Sequence, residues 1–429
     1  MTFILLDTLL IKFYDVMDKN IIPIMIKKII FSVIVFVCVL LQLVVLRYLR
    51  RLNLKTQVVR RINVELINKI VNIAQCSLII ILGIIVFQVF YYNYYFSYLL
   101  MSVILISYLV SSIIIAKTMV SFISWYKLNR NIIFLLYSVS MSMILVNLIL
   151  TTINVNLILS EKPVQIRQFA GGSMDISGGR YFFLSTLVRI SSILSFASIW
   201  FTTALLMHTA KERFLKEVRY WVILSIPLGY FLFSYFIQDI FGSLLFPFIR
   251  SDPLLISLTL TSILILSKPV GGIIFGLLFW RISKLVKFDK TLRTYMVISG
   301  YGFLLLFSAN QSTLLVLGPY PPFGLITITI LILATYFILI GIYTSATLIS
   351  TNSELRKFIY NSAIKSNLLN LLGKAEMEKE IKKTVGRVIK YTSTSQEFDN
   401  ANFDLDEKDL KKYLENVIAE LKNNKDKEV

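Results

Sequence analysis

The chain has 429 residues, of which 56% are hydrophobic and only 16% charged, with a mean hydropathy of +0.73. That composition excludes a soluble domain of this length and points to repeated burial in lipid. The net charge of +19 does not point to nucleic acid, because the bases gather in short gaps between apolar runs, where they set orientation and meet anionic headgroups.

Residues 1–28, MTFILLDTLLIKFYDVMDKNIIPIMIKK, are apolar in flavour, but Asp7, Lys12, Asp15, Asp18 and Lys19 interrupt them too often for a span. An interfacial helix is predicted there, and it is expected to be retained, since no basic start or small-residue cleavage site marks a signal peptide. A bilayer core of ~30 Å takes about 20 helical residues, and runs of that order follow one another along the chain. They lie near Ile29 to Leu46, Val71 to Tyr91, Tyr98 to Ile115, Ile132 to Thr152, Phe183 to Met207, Tyr220 to Ile237, Leu254 to Trp280, Tyr295 to Leu317 and Leu325 to Thr347.

The gaps between these runs alternate in character. The first holds Arg47, Arg50, Arg51, Lys55, Arg60, Arg61 and Lys69, whereas the second holds no charge but Tyr91, Tyr92, Tyr94, Tyr95 and Phe96. Lys117, Lys127 and Arg130, then Lys211, Arg213, Lys216 and Arg219, then Arg281, Lys284, Lys287, Lys290 and Arg293 fill the other basic gaps. The remaining ones carry only Lys162, Arg167, Arg180 and Arg250. Positive charge favours the cytoplasmic side, so the amino terminus is expected outside and the carboxyl terminus inside. The fold class is therefore all-α: a polytopic transmembrane helix bundle of about nine spans over residues 29–349, in the plasma membrane, followed by a cytoplasmic helical tail over residues 350–429. The longest outer gap, 153–182, has paired glycines at Gly171, Gly172, Gly178 and Gly179 and reads as turns forming a small hairpin or lid.

Charges and amides inside the runs are the candidates for chemistry. Lys268 precedes Pro269, Gly271 and Gly272 in ILILSKPVGGIIFGLLF. Proline cannot donate its backbone hydrogen bond and the glycines loosen the helix, so a break is expected at this point. An intramembrane lysine costs about 3 kcal/mol on insertion scales and needs water, a carbonyl or a counter-charge. One reading makes Lys268 and the broken helix an anion site; the other makes the Pro-Gly-Gly stretch a packing kink. Arg189 in FFLSTLVRISSILSF either snorkels to the outer edge or points inward to form a positive outer-half cavity with Lys268, where Asp239 at the outer end of QDIFG could neutralise one of them. Asn310 and Gln311, in SANQSTLL, need partners in hydrocarbon and read foremost as hydrogen-bonding glue between helices. LGPYPPFGL, with Pro319, Pro321 and Pro322, forbids helix and predicts a stiff aromatic outer turn.

No nucleophile with its base, phosphate loop or metal-ligand spacing is present, so no catalytic residue, metal or cofactor is expected. His208, the single histidine, is read as interfacial, and Cys38 and Cys76 as small packing residues. In the tail, acids and bases nearly balance and the apolar residues become periodic. Met377, Ile381, Val385 and Val388 form one stripe, and Leu410, Leu414, Val417 and Leu421 form another beyond the acidic SQEFDNANFDLDEKD link. These stripes are expected to pair, as in a coiled coil, with each other, a second subunit or a partner protein.

From Tyr301 to Ala363, and in the PYPPFGL turn, the SELRKFI run and KAEMEKEI beyond it, the chain resembles a family of polytopic membrane proteins from ammonia-oxidising archaea. That family has no established activity, so the resemblance implies an archaeal plasma membrane and carries over no site residue. The leading functional expectation is a non-enzymatic, sensor- or receptor-like protein that couples the outer part of the bundle to the tail. A transporter of an anion or small metabolite built around Lys268, or a scaffold subunit of a membrane complex, is the alternative. The lipid bilayer and a protein bound by the tail are the partners expected; nucleic acid is not.

Overall fold

A computed structural model of the chain describes residues 7, 24–55, 62–160, 165–167, 179–209, 225–233, 253–286, 289–310, 320–352, 355 and 367–396. In chain order the elements are α1 (Ile24–Lys55), α2 (Ile62–Tyr91), β1 (Tyr94–Phe96), α3 (Ser97–Asn129), α4 (Ile132–Ser160), β2 (Gln165–Arg167), α5 (Gly179–Thr209), α6 (Pro253–Leu285), α7 (Lys290–Ala309), α8 (Leu325–Thr351) and α9 (Asn367–Gln396). Among the described residues, seven helices are long and apolar enough to cross a bilayer, and the chain is a multi-pass membrane protein with an all-α fold. The expected span near Leu254 to Trp280 falls within α6, whereas 220–237 is described only over 225–233.

The helices run past the expected spans. The third expected span stopped at Ile115 because Lys117 follows, yet α3 continues without interruption to Asn129 and ends on Arg130 in the left-handed region at φ 45°. With 33 residues, α3 is about 50 Å long, so Lys117 lies within a helix rather than in a loop. Consecutive helices joined by short turns pack side by side, as α3 does with α4 and α6 with α7. At the second of these turns Asp289 accepts hydrogen bonds from the backbone N–H of Thr291 and Leu292, which starts α7.

α8 is the axis of the bundle. Its best spanning window is 100% buried inside the protein, against 28–50% for those of α1 to α5. A helix that is apolar on every face belongs in a core, and α8 packs against α7, α3, α2, α1 and α9. Close approach to α7 depends on glycine: a Cβ on Gly341 would sit 2.7 Å from the Tyr295 carbonyl oxygen. The contact between α6 and α7 has the same origin, since a Cβ on Gly276 would come within 2.7 Å of the Gly300 carbonyl oxygen. The peripheral helices turn large apolar side chains such as Phe36, Ile73, Ile113 and Phe201 outward, as contact with lipid requires.

Two local expectations are corrected. The helix does not break at Pro269, Gly271 and Gly272: α6 is continuous from Pro253 to Leu285. Proline removes one ladder bond, but the glycines bring α6 against Phe196 of α5 and the Leu304 backbone of α7, and this packing holds the helix through the gap. The 153–182 segment forms no hairpin within its described residues; β2 instead pairs antiparallel with β1 from the α2–α3 connection, Tyr95 opposite Ile166. The proline turn is a stiff aromatic corner, with Tyr320, Phe323 and Gly324 buried. Tyr320 donates its hydroxyl to the Val89 carbonyl at 2.9 Å and stacks on Tyr95, while Phe323 meets Phe31 edge-on at 5.7 Å.

Candidate functional site

Among the described residues four polar places stand out inside the bundle, each touching α8 or the helices around it. The first is the amino-terminal end of α8. Gly324 stands at the cap position with φ 86°, a conformation that glycine adopts without strain, and it has no side chain with which to cap. Asp7, more than three hundred residues away in the chain, supplies the cap. Its Oδ1 accepts from the Gly324 N–H at 2.8 Å, and its Oδ2 accepts from the Thr327 N–H at 3.1 Å and the Thr327 hydroxyl at 2.9 Å. A carboxylate at a helix amino terminus satisfies orphan donors and faces the positive end of the helix dipole. Burial nevertheless raises the Asp7 carboxyl to about 6, with the bonds from Gly324 and Thr327 opposing that rise. Asp7 is helical and fully buried, and it is the one residue described between 1 and 23.

The second place is a polar junction where α7 ends. The eighth expected span ran to Leu317, but α7 stops at Ala309 and Asn310 leaves the helix at φ −79°, ψ 62°. Lys268 donates its ammonium to the Asn310 carbonyl oxygen at 3.2 Å, placing a cation at the negative end of the α7 dipole. The Asn310 amide donates to Asn147 Oδ1 at 2.8 Å, and its Oδ1 accepts from the Tyr108 hydroxyl at 3.2 Å. Asn147 in turn donates to Ser191 Oγ at 2.9 Å. One asparagine thereby ties α3, α4, α6 and α7 together, and α5 through Asn147. Tyr108 is about 16 Å from the start of α3 and Asn147 about 22 Å from the start of α4, which puts the junction deep between the helix ends. Gln42, Gln75 and Thr329 form the third place, a comparable chain linking α1, α2 and α8, with Gln42 donating to the Thr329 hydroxyl at 2.9 Å.

The fourth place joins the tail to the bundle. α9 packs on α8 and α3 through Leu368, Leu369, Leu372 and Ala375. The Trp125 indole N–H of α3 donates to the buried carboxylate of Glu376 at 2.7 Å. Lys379 sits 3.4 Å from the same carboxylate and 5.7 Å from the Tyr343 ring centroid of α8. A small cavity of about 50 Å³ at this joint is lined by Lys117, Ser121, Tyr343 and Lys379, among others. The expected stripe does not make this contact: Ile381 is 39% exposed, and the face docked on the bundle lies one to four turns earlier.

Of the residues singled out from the sequence, the structure brings Lys268 and Asn310 together and sets Gly271 and Gly272 in helix contacts beside them. Arg189, on α5 next to Val188 and two residues before Ser191, is half-buried. Asp239, Gln311 and the second tail stripe of Leu410, Leu414, Val417 and Leu421 lie outside the described residues. Among the described residues no group of His, Cys, Asp or Glu side chains could hold a metal ion. Asp7, Tyr108, Asn147, Gln42, Gln75 and Glu376 were missed, although each is a polar residue set in an otherwise apolar run or beside an apolar stripe. No protein-family model matches the chain, and no curated protein or solved structure matches it.

Proposed function

We propose that the chain is a non-enzymatic membrane sensor in which α8 couples an outer, Asp7-capped end to a cytoplasmic tail helix. The observation that carries this reading is the placement of α8: buried on all sides, capped at one end by Asp7 and packed at the other against α9. Peripheral helices that exchange contacts with lipid can shift without consequence, but a central helix cannot move without repacking both ends. The basic residues Lys127, Arg130, Lys290 and Arg293 cluster at the α9 end, which favours an inner, cytoplasmic tail and an outer Asp7. The remaining proposals follow from the sequence: about nine spans, a plasma-membrane location, and a protein partner engaged by the Leu410, Leu414, Val417 and Leu421 stripe.

Trp125 reports on the joint, as it is 1% exposed and bonded to Glu376. In a variant retaining Trp125 as the only tryptophan, held in lipid nanodiscs, Asp7→Asn should shift the indole emission although α8 extends over about 40 Å between the two sites. An unchanged spectrum in a folded Asp7→Asn protein would end the proposal. A transporter is the second reading, favoured by one observation, the end of α7 inside the bundle with Lys268 on its last carbonyl. Lys268→Leu would then abolish anion flux in proteoliposomes.

A further inference from the structure

We propose that a groove between α1 and α7 is a binding site for one anionic phospholipid. The groove has a volume of about 480 Å³, within the range of molecule-sized sites. α1 contributes Val45, Tyr48 and Leu49, α7 contributes Lys290, Arg293, Val297, Ile298 and Tyr301, and Phe337 of α8 closes the floor. Its chemistry is graded along α7. Lys290 and Arg293, both exposed, stand at the helix start, and the lining becomes apolar toward Tyr301, about 16 Å further along the axis. Leu49, Ile298 and Phe337 are buried, while Tyr48 and Tyr301 are 53% and 47% exposed and flank the opening.

This gradient matches the two halves of a phospholipid. A phosphate needs cationic donors at the headgroup level, and an acyl chain needs a slot that continues into the hydrocarbon. Among the described residues neither Lys290 nor Arg293 has an ion-pair partner. The nearest carboxylate in sequence, Asp289, is engaged with the N–H groups of Thr291 and Leu292, which also removes those donors from the site. Arg47, Arg50 and Arg51, exposed on the same stretch of α1 as Tyr48, add positive potential at this level. The groove opens at the periphery of a bundle whose flanking helices α1 and α7 are both of spanning length, so lipid is the solvent that reaches it. The proposal rests on the membrane-spanning reading of these helices and is independent of the sensor role.

The full chain, purified in a mild detergent, would be examined by native mass spectrometry with phosphatidylglycerol and phosphatidylcholine added in equal amounts. Wild type should retain phosphatidylglycerol at least about tenfold over phosphatidylcholine, and a Lys290→Gln/Arg293→Gln variant should bring that ratio near unity. Val297→Trp, which fills the apolar half, should reduce retention of both lipids at the site. A Lys127→Gln/Arg130→Gln control removes two exposed charges from the α3–α4 turn at the same end and should keep the wild-type preference. The proposal is overturned if the control loses the preference as fully as the groove variant, or if the groove variant keeps it while retaining the wild-type melting temperature. Displacement of the lipid by millimolar inorganic phosphate would also overturn it, since the site would then hold a free anion.

Discussion

Asp7 offers a test in which the sign of the effect is set by burial. Its carboxyl is raised from 3.8 to about 6 in the folded protein, so the folded state binds a proton more tightly than the unfolded chain does. Stability therefore declines as pH rises from about 4 to about 6 and then levels off. For a single group with these two values, the loss between pH 5 and pH 7.5 is about 1.4 kcal/mol, a tenfold change in the folding equilibrium. The comparison is wild type against Asp7→Asn, which fills the same space and cannot titrate. Thermal unfolding of both proteins in the same detergent at pH 5, 6, 6.5 and 7.5 isolates the contribution of Asp7, because every other titrating group is common to the pair. We expect the wild-type curve to fall relative to the variant across this window. Parallel curves, or a wild type that gains stability relative to the variant as pH rises, would refute the placement of this carboxylate in a desolvated cap.

Four other substitutions, one of them a reference, probe the helix packing. Asn147→Leu removes the partner of Asn310 and Ser191, two bonds worth about 0.6 kcal/mol each between membrane helices, and should cost about 1 kcal/mol, measured as a lower melting temperature. Gly300→Val sets a branched side chain against the Gly276 carbonyl and the Trp280 indole, so a loss of about 1–3 kcal/mol is expected, with a smaller one for Gly83→Val, where a Cβ meets nothing within 4 Å. Lys268→Leu gives up one bond to the Asn310 carbonyl but no longer holds an ammonium in the bundle, and the two effects should nearly offset, within about 1 kcal/mol. A loss above ~3 kcal/mol for Lys268→Leu would mean instead that it balances a buried carboxylate.

The bundle was legible because lipid imposes one solution on any apolar run of spanning length: the helix must satisfy its own backbone. Helix ends were harder to place. Lys117 looked like the start of a loop, yet a long side chain at a half-buried position is no reason for a helix to stop when its backbone bonds continue. Pro269 looked like a break, and the close fit of Gly271 and Gly272 against α5 and α7 outweighs the single bond that proline removes. Conversely, α7 ends at Asn310, short of Leu317, where Lys268 binds the Asn310 carbonyl and Asn147 binds its side-chain amide. Asp7 could be read as a charge in an apolar run but not as a cap, since its partners are the distant Gly324 and Thr327 and no local pattern announces a cap supplied from across the chain. The face of α9 that packs on the bundle was readable but was not singled out. Leu368, Leu372 and Ala375 step by four and three like the later stripe, and they lie nearer the point where the chain leaves α8.

The coupling of the two ends of α8 is tested most directly by a double-mutant cycle of Asp7→Asn and Glu376→Ala, with unfolding measured for the wild type, both single variants and the double variant. Residues this far apart and without shared partners normally act independently, within about 0.3–0.5 kcal/mol. If α8 transmits between its ends, the double variant should depart from the sum of the single effects by about 1 kcal/mol or more. Strict additivity would contradict the sensor mechanism and leave α8 as a core helix with two unconnected ends.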